Sequence, residues 1–216
     1  MVIIHISKLK NFRRKKMKRK LLILGVLLLS VSSVVMAGTT WTALTGNYDK
    51  NTLRDNDNSS LQLDSSSAGI GMQVAHFTDK NFGVIVNLGF LWDTDDSKSF
   101  TWDRQISTYV GPGYRLALGK EASLYGSVGF ALKNFRDTNK VLGVETILSV
   151  NQIGIGAMAG AQVQIQPSLS ILGGIQAGHY FNISGKGSIG SNSIEQTVED
   201  TSAQAITPFV GIAYTL

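Results

Sequence analysis

Residues 82–93, FGVIVNLGFLWD, alternate with a period of two. Phe82, Val84, Val86, Leu88, Phe90 and Trp92 fall on one face, and Gly83, Ile85, Asn87, Gly89, Leu91 and Asp93 on the other. That period belongs to a strand with one apolar face, not to a helix. Residues 105–118 repeat it, with Ile106, Thr108, Val110, Pro112, Tyr114 and Leu116 opposed to Ser107, Tyr109, Gly111, Gly113 and Arg115. Residues 152–165 set Ile153, Ile155, Ala157, Ala159, Ala161, Val163 and Ile165 against glycines, glutamines and Met158. Weaker alternation over 40–48, 66–77, 123–134, 169–181 and 204–216 brings the predicted strands to eight. Several run 11–14 residues, against about five or six in globular sheets and about 9–11 in a tilted strand that crosses a bilayer.

The connections carry independent information. Short links at 78–81, 119–122 and 166–168 alternate with longer polar ones at 49–65, 94–104, 135–151 and 182–203. Short periplasmic turns alternating with longer external loops are the rhythm of an outer-membrane barrel. Aromatics mark two levels on the apolar face: Phe82, Tyr114 and Tyr214 near the short turns, Trp92, Trp102 and Phe181 at the far ends. Two girdles fit the two interfaces of a membrane. A soluble barrel with its apolar face inward explains the alternation but not the inward glycines, the strand lengths or the aromatic levels. The predicted fold is therefore all-β, a closed antiparallel up-and-down transmembrane β-barrel of eight strands. Closure leaves no bare sheet edge in hydrocarbon, so only alternate residues need be apolar, and the mean hydropathy stays near zero.

The first 37 residues differ in kind. Residues 8–20 hold nine Lys or Arg and no acid, residues 21–35 hold no charge, and Val35-Met36-Ala37 precedes Gly38. A basic region, an apolar region too short to span a bilayer and a small-residue cleavage site predict a secretory signal over 1–37, with the barrel over 38–216. Met17 begins a compact basic-plus-apolar signal, so residues 1–16 read as an over-extended start. The leader also explains the charge. Of 20 Lys and Arg, nine lie in it, which leaves 11 against 15 Asp and Glu from Gly38 onward. The net of +5 is thus no sign of nucleic-acid binding, which needs a basic patch on the folded domain. There is no cysteine, which excludes both disulfides and a lipid attached through an N-terminal Cys.

Pro208-Phe209-Val210-Gly211-Ile212-Ala213-Tyr214-Thr215-Leu216 alternates to its last residue. It resembles the C-terminal strand by which the barrel-assembly machinery recognises its clients, although that pattern usually closes on an aromatic and here closes on Leu216. With Val110-Gly111-Pro112-Gly113-Tyr114-Arg115 and the eight-strand rhythm, residues 38–216 resemble the small outer-membrane barrels of the OmpX, OmpW and OmpA-membrane-domain type. The resemblance is architectural. It implies outer-membrane lipid and the assembly machinery as partners, and host or envelope ligands at the external loops.

A barrel of eight strands is just wide enough for its own side chains, so a general aqueous pore is not expected. The inward glycines make room for Tyr109, Tyr125, Met158, Tyr180 and the glutamines; the sharper alternative is a residual cavity. Parity places a polar lumen cluster of Arg115, Tyr125, Gln162 and Gln164 in the periplasmic half. No carboxylate is placed by parity at that level, so Arg115 is expected to bond to the neutral groups. Asp93 and Lys133 are expected at the external mouth. Small-barrel enzymes need a base beside a nucleophile, and His179-Tyr180-Phe181 lacks the His-x-Ser spacing of the deacylase type, while His76 falls near the periplasmic end. Asp55-Asn56-Asp57-Asn58 lacks the glycine and glutamate of a calcium loop, and Gly185-Lys186-Gly187-Ser188 lacks Walker spacing. No catalytic residue, cofactor or metal is expected. Two function classes remain: a non-enzymatic surface protein acting through its loops, and a narrow conduit for small molecules, hydrophobic ones included.

Overall fold

The computed structural model describes residues 38–55, 62–94, 103–141, 144–189, 192–198 and 201–216. The leader, Trp102 and residues 56–58 of the calcium-like segment lie outside these residues. Every element among the described residues is a strand: β1 (Gly38–Asp55), β2 (Gln62–Thr78), β3 (Phe82–Asp93), β4 (Arg104–Ala117), β5 (Ala122–Val141), β6 (Val144–Gln166), β7 (Leu169–Ile189), β8 (Asn192–Val198) and β9 (Thr201–Thr215). All pairings are antiparallel. β1 to β7 pair in sequence order, β7 also pairs with β9, and β9 returns to β1. The ring therefore has eight strands. β8 pairs with β7 and lies beyond the ring, as an addition the alternation did not predict.

The pleat sorts side chains as the period-two reading requires. On β3, Ile85, Asn87, Gly89 and Leu91 are buried while Phe82, Val84, Phe90 and Trp92 are exposed. The predicted parity of β4 and β6 also stands, with Tyr109 and Met158 buried and Val110, Ile153 and Ile155 exposed. An exposed apolar wall around a partly polar interior inverts the usual globular arrangement, and a hydrocarbon solvent is the environment that makes it favourable. Phe82 and Tyr114 touch edge-on at a centroid distance of 5.1 Å, at the short-turn end where one girdle is expected.

Tight turns close the short-turn end. Asn81 takes a positive φ of 64° and its N–H donates to the Thr78 carbonyl over 2.8 Å; asparagine tolerates that region. Gly119 has a φ of +116°, which only glycine adopts without strain. At the other end three predicted loops prove largely strand. β1 and β2 stay in register to Arg54↔Gln62, β5 and β6 to Val141↔Val144, and much of 182–203 is the upper part of β7 together with β8. Polar residues conceal these extensions because beyond the hydrocarbon neither face must be apolar, so the alternation fades while the hydrogen-bonded ladder continues.

A barrel with a polar plug and a periplasmic vestibule

The lumen is filled from all sides. Tyr109 lies against Gly156, Tyr125 against Gly160 and Tyr180 against Gly178; a Cβ at Gly160 would strike the Tyr125 ring. Trp41 of β1 meets Tyr125 at 5.5 Å between ring centroids. These rings, with Met158 and Phe77, are buried, so the glycines act as sockets for aromatics, as their inward parity suggested. Polar bridges cross the same space: Asn87 donates to Gln176 Oε1 over 3.0 Å, and Tyr109 to Ser127 over 2.8 Å.

In the half away from the short turns stands a fully buried ion pair. Lys133 Nζ donates to both Asp49 oxygens, over 2.8 and 2.7 Å. Gln105 Nε2 and Thr207 Oγ1 also donate to Asp49, and Ser67 Oγ donates to Gln105 Oε1. The Tyr180 ring faces the ammonium at 5.5 Å. Asp49 is 1% and Lys133 2% exposed. Desolvating both charges is costly, and here four donated hydrogen bonds to the carboxylate offset it.

This corrects the expected external mouth. Lys133 does not stand there with Asp93; it is sealed inside by Asp49, while Asp93 sits at the end of β3 in register with Ser67. Asp49 escaped notice because the strand reading of β1 stopped at residue 48. Thr45, Asn47, Asp49 and Asn51 all continue the inward face and are buried, and carrying the period one step further would have placed the carboxylate inside.

The predicted lumen cluster does gather at the short-turn end. Arg115 is in register with Tyr125, and Arg115, Gln162 and Gln164 line a cavity of about 220 Å³ together with Ser123 and Ser170. Two details differ from expectation. Among the described residues Arg115 Nε has no hydrogen-bond partner; the guanidinium carbon instead stands 5.8 Å from the Phe77 centroid. Glu121 also lines the cavity, with Lys120. Parity counts strand residues only, and Glu121 comes from a turn, so the carboxylate was invisible to it. Gln164 is partly committed, donating to the Pro167 carbonyl over 2.6 Å.

The two histidines among the described residues lie apart. His76 Nδ1 is 2.7 Å from Thr40 Oγ1 near the short-turn end. His179 faces outward in register with Gln204. Gly185-Lys186-Gly187-Ser188 is strand, not a phosphate-wrapping loop.

A sequence profile described as the outer membrane protein beta-barrel domain matches residues 22–205. The chain belongs to that family. Among solved structures, the barrel is similar to a major outer membrane protein from Thermus thermophilus, at 15% identity and a TM-score of 0.54, covering 82% of this chain and 99% of that one. It is similar to Neisserial surface protein A at 9% identity and a TM-score of 0.51, covering 80% and 96%. The outer membrane protein OprG from Pseudomonas aeruginosa gives 12%, 0.51, 83% and 96%. Identities this low establish the fold alone. A comparison with curated protein sequences finds no match. As a member of this family the protein is located in the outer membrane, and the end carrying the short turns is the periplasmic one.

Proposed function

We propose that this barrel is a non-enzymatic surface protein that acts through its external hairpins and does not conduct. The observation that carries the reading is the Asp49–Lys133 plug. A buried ion pair with Gln105, Thr207 and Ser67 bridges strands from opposite sides of the ring. The aromatics of the lumen lie beneath it, and so narrow a barrel offers no way around. Past the wall, β5, β6, β7 and β8 continue as a hydrogen-bonded sheet, a rigid surface of the kind that positions recognition residues better than a mobile loop. The conduit reading draws on one observation, the periplasmic cavity under Arg115. All of its lining residues lie at the short-turn end.

Planar-bilayer recording of the refolded protein tests the choice. The expected trace is flat. Stepwise openings of the unmodified protein would make it a conduit.

Residues 1–37 belong to the same proposal as a cleaved export signal, supported by the basic and apolar regions and by Val35 and Ala37 at the peptidase positions.

A further inference from the structure

Like charges set directly opposite across an antiparallel pair repel, yet one such pair stands on the outer wall. Arg104 of β4 is in register with Arg136 of β5. Their neighbours Gln105, Phe135 and Asp137 are buried inward, so the pleat turns both arginines outward; Arg104 is exposed and Arg136 half-buried. The rung continues through Ser149 of β6 to the exposed Lys186 of β7, which is itself in register with Glu195 of β8. The two arginines thus share one face and one height. Among the described residues, neither guanidinium has an ion-pair partner.

Nearer the membrane the next rung holds Asn134, which donates to Asn151 over 2.6 Å, and the one after it holds the exposed Leu132 and Ile153. Below these the wall is indented by a groove of about 670 Å³. It runs between Phe130 and Ile206 and is floored by Ala157 and Ala177, with His179 and Gln204 side by side along its upper rung. Small residues on β6 and β7 between larger ones on β5 and β9 make the hollow. Arg136 stands six residues beyond Phe130 on one strand, about 20 Å at roughly 3.3 Å per residue.

We propose that this face holds a phosphate-bearing lipid of the external leaflet. Its phosphate sits between Arg104 and Arg136, and an acyl chain descends over Leu132 and Ile153 into the Ala157–Ala177 groove. Guanidinium forks match phosphate oxygens with paired, charge-assisted hydrogen bonds, and an anion between the arginines turns their repulsion into attraction. The lipid is favoured over a dissolved anion because the cations and the groove are continuous on a wall that membrane lipid bathes.

The test uses the full-length protein extracted from outer membranes into zwitterionic micelles. Calorimetric titrations compare lipid A carrying both phosphates with lipid A stripped of them. The unmodified protein is expected to prefer the phosphorylated form on the order of tenfold. Arg104→Gln with Arg136→Gln should abolish that preference, while the paired Lys variant keeps part of it. Ala157→Phe with Ala177→Phe, which fills the groove and spares the cations, should weaken both lipids alike; it keeps the idea testable if the Gln pair does not fold, as checked by circular dichroism and heat-modifiable gel mobility. Equal binding of the two lipids by the unmodified protein would overturn the proposal. So would a Gln pair that retains the preference, or displacement of the lipid by inorganic phosphate or a polysulfated glycan, which would mark a site for dissolved anions.

Discussion

Lys133 sits in register with Ser107 and Gln152, yet its partner is Asp49, 84 residues away across the lumen. Removing one member of such a pair leaves an uncompensated charge. Lys133→Ala is therefore expected to cost on the order of 3–5 kcal/mol, more than its lost contacts alone. Asp49→Leu combined with Lys133→Met should recover most of that loss, because no charge is then stranded. Denaturant unfolding of the three proteins in lipid vesicles measures it; a double variant no more stable than Lys133→Ala would show that the pair does not act as a unit. The inward direction of Lys133 followed from its odd position among alternating residues. Its partner did not, because parity gives a side without giving a height or the opposite strand.

At the scale of elements, β8 differs from the other strands in making no contribution to the closed ring. β7 and β9 close the wall by themselves from Leu169↔Tyr214 to Tyr180↔Ala203, and β8 pairs with β7 only over residues 183–189. Replacing residues 186–199 by a two-glycine link should leave the barrel folded, with a stability loss of about 1 kcal/mol or less, as for other changes outside the packed wall. Heat-modifiable mobility of the shortened protein checks this; a protein that no longer folds would mean the hairpin nucleates closure. The bulge between Ile153 and Gly154, where the partner steps from Asn182 to Tyr180, shifts the parity of upper β7 and turns Ile183 inward. Nothing in the local pattern announces that shift. Such an irregularity depends on how two strands meet, and each strand alone reads as regular.

For the molecule as a whole, inside and outside are set by the solvent. Exposed Phe130, Val128, Val210 and Ile212 would be a liability in water and are the favourable surface in hydrocarbon. Delivery there requires export, and the signal reading predicts Gly38 as the first residue of the mature protein. N-terminal sequencing of protein extracted from membranes decides it; a mature chain that begins within 21–36 would remove the signal from the account.

The amino-acid order by itself determined the class of fold, the facing of β3, β4 and β6, the short turns and the polar cluster around Arg115. Each of these depends on neighbours within a strand or a turn, where alternation, glycine and polar punctuation act directly. Only the tertiary structure decided what lies opposite what: Asp49 on Lys133, Glu121 within reach of the Arg115 cavity, Arg104 beside Arg136. Those relations come from closing eight tilted strands with a fixed stagger. Closure joins residues far apart in sequence at one height, and a one-dimensional pattern holds no record of height.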